Sequence, residues 1–578
     1  MKKKIFTSSY LGLESYLVEV EVDISRGLPM FSIVGMGDTA ILESKFRVKA
    51  ALKNSDYEIT PQKIVVNLSP AGIKKEGAQF DLPIALGIIL EMKLLKDKRD
   101  IFKNYLFVGE LSLDGEVKGV SGTINSVILA KEKGFKGIVV PYENRNEASL
   151  IDGVDIVAVK NVADVVNFIE NGIKLEFEKI NLVKTEEDIL DFSDVKGQYF
   201  AKRAMEISAA GGHNILLIGS PGSGKSMLTK RMIGILPEMT ESEIIESTKI
   251  YSVAGELSEK NPIISKRPMR MPHHSTTLAA MVGGGKKALP GEISLASNGI
   301  LILDEMSEFK HSVLEALRQP LEDGYVSITR AMYRVEFRSN FILVGTSNPC
   351  PCGNLYEGNC KCSATEIERY TKKLSGPILD RIDLVIQMKR LSEEELVNDK
   401  KEESSANIRK RVIKARKIQT KRYGKAKTNS KMSQEELKKY CIIKEEDKRF
   451  LISALENLQI SARVYDKILK IARTIADLAG EKEISRKHLL EAISFKNNNN
   501  FIHVLFRELL ILLHPFMPFT TDYLFEYIYS EELLDNEFHI FSELNVEANN
   551  VNLLIEIIST LRKYREDKKI SKSETLHY

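Results

Sequence analysis

The stretch NILLIGSPGSGKSMLTKRMIGIL, Asn214 to Leu236, limits what this chain can fold into more than any other. An apolar run is followed by a glycine-rich loop and then by a helix-forming segment, the order a phosphate-binding loop requires. In Gly219, Ser220, Pro221, Gly222, Ser223, Gly224, Lys225 and Ser226 the glycines let backbone N–H groups curl around phosphate oxygens. Lys225 neutralises those oxygens and Ser226 can ligate Mg²⁺. The loop therefore predicts ATP and Mg²⁺ as ligands.

Two further apolar runs belong with it. GILILDE, Gly299 to Glu305, ends in paired carboxylates. At a strand's C-terminal end Asp304 can hold the Mg²⁺ shell while Glu305 orients or deprotonates the attacking water. FILVGTSN delivers Asn348 to the same edge, where an amide can contact the γ-phosphate or the water. Apolar strands separated by helices predict a parallel sheet covered on both faces.

At 578 residues the chain is long enough for several domains with their own cores. A net charge of +3 shows no global basic bias, so any nucleic-acid surface must be local. The N-terminal basic cluster has no apolar h-region before Glu14, and the longest apolar run, LPIALGIIL, is too short to span a bilayer, so a cytoplasmic protein is expected. The predicted class is multidomain α/β. An α+β domain over 1–172 is followed by a charged linker over 173–192, an ATPase core over 193–395, a helical lid over 396–496 and a helical tail over 497–578.

The asparagine strand runs into NPCPCGNLYEGNCKC, which holds four of the five cysteines. Cys350, Cys352, Cys360 and Cys362 form a symmetric array of two C-x-C pairs, and four thiolates suit tetrahedral Zn²⁺. One residue between cysteines is tighter than the usual two to four, and reduced buried thiols or a redox pair are the other readings. His273 and His274 are adjacent, point apart on a regular helix or strand, and suit loop packing or signalling better than a shared metal.

DVKGQYFAKRAMEISAAGGHN, MRMPHHSTTLAAMVGGG, NPCPCG, LSGPILDRIDL and SARVYD, with GLPMFSIVGMGD and VNLSPAGIKKEGAQFDLPIALG nearer the N-terminus, resemble the ComM/YifB family of magnesium-chelatase-like AAA+ ATPases. The resemblance covers residues 1 to about 496. It implies a hexameric, ATP-hydrolysing DNA branch-migration helicase acting in recombination or natural transformation; a protein-remodelling ATPase of the chelatase kind is the alternative. It also implies that Arg381 is an arginine finger reaching into a neighbour's site and that Arg463 is the sensor-2 arginine of the lid.

The N-terminal domain resembles the Lon-protease fold, of the ribosomal S5 domain 2-like type. The serine position of that fold falls near Gln79 and its lysine position at or near Ile124 to Ser126, so no peptidase activity is expected.

Two stretches are candidates for gripping DNA. DGYVSITRAMYRVEF predicts a hairpin with Arg330 near its tip and Arg334 just beyond, placed where related helicases point a hairpin into the ring pore. The run over 408–427 carries ten Lys or Arg from 409 onwards and no acid, and reads either as phosphate contacts or as a solvated helical face. The tail resembles the anticodon-binding helical bundle of valyl-type class I aminoacyl-tRNA synthetases. No synthetase catalytic core precedes it, which excludes aminoacylation; fusion, a chimeric reading frame and a genuine helical appendage all remain open, and tRNA binding is not expected.

Overall fold

The computed structural model describes residues 4–179, 190–285, 288–330, 333–357, 359–374, 376–390, 402–457 and 462–495. The tail over 497–578, the hairpin tip and the side chains of Arg330 and Arg463 lie outside the described residues.

The N-terminal part is built on a seven-stranded sheet. Its strands are β1 (Ile5–Leu11), β2 (Glu14–Ser25), β3 (Met30–Val34), β4 (Lys63–Ser69), β5 (Tyr105–Phe107), β6 (Gly137–Pro141) and β7 (Asp155–Val159), in the spatial order β3-β4-β2-β1-β5-β6-β7. The β1–β2 and β2–β4 pairs are antiparallel and the others parallel. Helices α1 (Thr39–Asn54), α2 (Asp81–Glu91) and α3 (Thr123–Glu132) cover it. Every residue of α2 from Asp81 to Leu90 is buried, as its almost unbroken apolar sequence requires. The one charge in that buried stretch, Asp81, is held by Arg47 Nε at 2.6 Å.

Next comes a five-stranded, wholly parallel sheet. Its strands are β8 (Ile215–Gly219), β9 (Met269–Arg270), β10 (Ile300–Leu303), β13 (Ile342–Ser347) and β14 (Leu384–Met388), in the order β9-β10-β13-β8-β14. Between β10 and β13 the chain forms an antiparallel hairpin, β11 (Tyr325–Arg330) and β12 (Tyr333–Arg338), where the sequence predicts one. Helices α4 (Tyr199–Gly211), α5 (Lys225–Arg231) and α6 (Glu241–Ala254) belong to this part.

The C-terminal helices, where the sequence predicts a lid, include α7 (Ser405–Tyr423), α8 (Ala462–Ala479) and α9 (Arg486–Ser494). A buried polar network seats them on the core. His213 Nδ1 faces Asp383 Oδ2 at 3.2 Å and its Nε2 meets Thr474 Oγ1 at 2.8 Å, while Lys467 Nζ reaches Asp383 Oδ1 at 2.9 Å. Burial opposes the Asp383 charge, but Lys467 and His213 hold its carboxyl well below the usual range.

Two of the contacts between the N-terminal part and the part built on the five-stranded sheet are close. Gly12, at φ +60° in the β1–β2 turn, lies so close to β12 that a Cβ there would sit 2.0 Å from Val335 Cγ1. Leu11 and Leu13 on either side pack into the core cluster that contains Val326, Ile328 and Val335. At the second contact, the Gly122 N–H donates to Ser252 Oγ of α6 at 2.9 Å. Burial pushes the neighbouring Glu147 carboxyl up to about 7, against hydrogen bonds from Ser252 and Asn144. No described helix is long and apolar enough to cross a membrane.

Candidate nucleotide site and cysteine knuckle

The C-terminal ends of β8, β10 and β13 lie side by side, so the three motifs separated in sequence meet at one edge. Lys225 opens α5 directly after the loop, and Gly222 and Gly224 take φ +80° and +89°, a conformation open to glycine at no steric cost. Nothing lies within 4 Å of where a Gly224 Cβ would be, so the loop backbone is bare on that side. The hydroxyls of Ser220 and Ser223 are buried with no hydrogen-bond partner among the described residues. Bare amides, two orphaned hydroxyls and a lysine are a donor set that fits a triphosphate.

Lys225 Nζ donates to Gly219 O at 2.6 Å, Ser220 O at 3.0 Å and Asn348 Oδ1 at 3.2 Å. Burial lowers its pKa, and the charges of Asp304 and Glu305 work in the opposite direction. Ser226 Oγ donates to Asp304 Oδ2 at 3.1 Å. A hydroxyl and a carboxylate in contact are hard oxygen ligands, which fits Mg²⁺. Glu305 sits at φ +52°, a left-handed position that costs a non-glycine residue about 1–3 kcal/mol. Its side chain is 58% exposed, and His274 Nδ1 lies 3.9 Å from Glu305 Oε2. The two histidines occupy a loop and lie side by side, ring centroids 4.0 Å apart and planes tilted by 35°, rather than pointing apart as they would on a regular element.

Sequence reasoning missed two residues of this site. Thr346 Oγ1 donates to Asp304 Oδ1 at 2.5 Å and accepts the Glu305 N–H at 3.0 Å, so it fixes both acids at once. The polar triplet Thr346-Ser347-Asn348 ending an apolar strand was the available signal. Gln198 Nε2 bridges Ser223 O at 3.2 Å and Lys389 O at 2.7 Å, tying the loop to the end of β14. Nothing local marks it.

Arg381 is the residue the structure presents differently from a free surface arginine. Its Nη1 donates to Pro377 O at 2.7 Å, its Nη2 pairs with Glu322 of the same chain, and its Nε is buried without a partner among the described residues.

The four cysteines converge. Their sulfurs all lie within 4.8 Å of one another, with Cys350–Cys352 at 3.4 Å, Cys352–Cys360 at 3.6 Å and Cys350–Cys360 at 3.7 Å. Backbone amides of Asn354 and Lys361 hold the Cys352 thiol down to about 6. Such a set can hold a metal ion. The knuckle also touches the nucleotide loop, since a Cβ on Gly353 would lie 2.5 Å from Pro221 Cδ.

The basic run divides. Arg411 pairs with Glu206 and Glu403, Arg422 with Asp477 and Lys427 with Glu436, while Arg416 Nη2 donates to Ala209 O at 2.7 Å. Arg409 Nη2 lies 3.8 Å from Glu238. Arg334 of the hairpin is 67% exposed and pairs with Glu336 at 2.9 Å.

Family models place the chain. The model for "Magnesium chelatase, subunit ChlI" matches residues 191–396, that for "Subunit ChlI of Mg-chelatase" residues 20–144, and that for the ChlI C-terminal region residues 402–496. The anticodon-binding domain of tRNA ligase matches 482–578. Competence protein ComM of Haemophilus influenzae is 42% identical over 499 residues, covering 85% of this chain and 97% of that protein. YifB of Escherichia coli is 40% identical over 498 residues, 85% of this chain and 96% of its own length. A valine–tRNA ligase of Mycoplasmopsis synoviae is 43% identical over 89 residues, only 15% of this chain and 10% of the ligase. With near-complete relatives at this identity and a phosphate loop, acidic strand end and asparagine gathered at one sheet edge, the chain belongs to the ComM/YifB family of magnesium-chelatase-like AAA+ ATPases.

Proposed function

We propose that this chain is a Mg²⁺-dependent ATPase that works as a hexameric ring and moves branched DNA in recombination or natural transformation. The observation that carries the ATPase part is the meeting of Lys225, Ser226, Asp304, Glu305 and Asn348 at the C-terminal edge of β8, β10 and β13. Ser226 and Asp304 would hold Mg²⁺, which would neutralise phosphoryl charge, and the loop amides with Lys225 would hold the phosphates. Glu305 takes the proton of the attacking water, and Asn348, in contact with Lys225, orients the water or the terminal phosphate. Arg381 of a neighbouring subunit completes the site, and Arg463 of the lid senses the bound nucleotide.

The DNA part rests on similarity to a competence protein, on the hairpin bearing Arg330 and Arg334, and on the basic run over 408–427, which is helical as far as Tyr423. The chelatase family models favour a second reading, a protein-remodelling motor with the same nucleotide site. One assay separates them. Forked or four-way DNA is expected to raise the steady-state ATPase rate several-fold, and a rate indifferent to DNA under conditions where ATP turns over leaves the protein-remodelling reading.

The domain over 1–172 is read as a Lon-like element without peptidase activity. The serine position of that fold falls near Gln79 and its lysine position at or near Ile124 to Ser126, where neither side chain is supplied, and Gln79 Nε2 donates to Glu76 O at 2.9 Å. The domain's buried lysine, Lys75, is caged by the carbonyls of Gly35, Leu68 and Pro70 rather than by a hydroxyl.

The cysteine knuckle is read as a structural Zn²⁺ site bracing the nucleotide loop. Zn–S bonds of about 2.3 Å put tetrahedral sulfurs roughly 3.8 Å apart, close to the spacings of 3.4 to 3.7 Å among Cys350, Cys352 and Cys360, with Cys362 within 4.8 Å of each. Elemental analysis is expected to find about one Zn²⁺ per chain. Stripping it is expected to weaken ATP binding, through the contact of Gly353 with Pro221. Metal-free protein with unchanged stability and ATP affinity would remove this reading.

A further inference from the structure

The basic run on α7 is two populations of charge with different jobs. At 100° per residue, Lys410, Lys414, Lys417 and Lys421 fall within an arc of about 60°. Their centre is about 180° from the stripe formed by Ser405, Ile408, Val412, Ala415 and Gln419, which is buried. The four lysines are thus aimed straight away from the core, and all are exposed. Arg409, Arg411, Arg416 and Arg422 fall on the flanks and reach back to Glu238, Glu206, Ala209 O and Asp477. None of the four lysines makes an ion pair among the described residues.

A solvated helix face usually mixes signs, because Glu–Lys pairs at i,i+4 stabilise a helix and like pairs destabilise it. Here Lys410–Lys414 and Lys417–Lys421 are like pairs at i,i+4, and no Asp or Glu occurs between Ser404 and Gln434 to relieve them. The four lysines span about 16 Å of helix at 1.5 Å per residue. That is the axial rise of about five nucleotides of one strand, so each ammonium can meet a separate phosphate. We propose that Lys410, Lys414, Lys417 and Lys421 form a DNA-backbone track on the outer face of the lid, while the arginines of the same run hold the lid to the core. The track rests on the DNA-acting reading above and adds to the hairpin as a second contact.

The test uses the full chain with all four lysines changed to Ala, alongside Lys410→Arg, Lys414→Arg, Lys417→Arg and Lys421→Arg combined. Binding to forked DNA is titrated across salt concentrations. The log–log salt slope of the Ala protein is expected to fall by roughly 3, and its affinity at 0.1 M salt by on the order of 10³-fold. The Arg protein should keep the wild-type slope. Arg411→Ala should lower the unfolding temperature and leave the slope alone. An Ala protein with the wild-type slope overturns the track and leaves the DNA reading standing on the hairpin. A wild-type chain that binds no DNA at any salt removes the DNA reading, and the track with it.

Discussion

Glu305→Gln is expected to leave ATP bound and stop its hydrolysis. The substitution removes the base and keeps shape and volume, so the Ser226–Asp304 contact and the Thr346 bridge between the two acids remain. Loss of a positioned general base lowers turnover by roughly 10²- to 10⁴-fold. Equilibrium binding of labelled ATP should match the wild type, while phosphate release falls by that factor. The backbone of residue 305 is left-handed in both proteins, so its cost cancels in the comparison. Hydrolysis within a few-fold of wild type would take the base away from Glu305. His274, 3.9 Å from its carboxylate, would then be the next group to examine.

Arg381→Ala is expected to suppress hydrolysis by on the order of 10³-fold or more without abolishing ATP binding, the effect of removing a transition-state arginine. A guanidinium acting in trans has a signature that one acting in its own subunit lacks. Arg381→Ala chains and Lys225→Ala chains are each inactive alone. Mixed, a Lys225→Ala subunit donates its intact Arg381 to a neighbour whose phosphate loop is normal, and some ATPase activity should return. DNA unwinding can stay low, since many sites in the mixed ring are dead. Within one chain Arg381 pairs with Glu322, and its Nε has no partner among the described residues, so engaging a neighbour's phosphate exchanges the Glu322 contact for a new one. If subunit exchange is demonstrated and mixing restores nothing, Arg381 is a structural partner of Glu322.

The nucleotide edge was legible because each of its parts is a local pattern. A strand that must be buried on both faces is apolar along its whole length, and the polar residues at its C-terminal end stand out against it. That rule singled out Asp304, Glu305 and Asn348, while the glycine-rich loop pattern singled out Lys225. It passed over Thr346, whose role depends on β13 lying beside β10, and Gln198, whose two acceptors come from distant parts of the chain. The hairpin was legible from its turn and alternation. Its packing against the β1–β2 turn at Gly12 was not, since a glycine there carries no sign of Val335.

By itself the sequence determined the phosphate loop, the acidic strand end, the cysteine spacing and the sign of the 409–427 run, because these depend on residue type and short separations. Only the tertiary structure decided that the four sulfurs lie within 4.8 Å of one another and that Gly353 rests on Pro221. It also decided which charges of the basic run are already engaged. The energy of a charge depends on what lies within a few ångströms of it. The partners of Arg411 and Arg416 on α4, Glu206 and the Ala209 carbonyl, come from about two hundred positions earlier in the chain. No window along the sequence contains both members of such a pair; the fold brings them together and leaves the four lysines facing out.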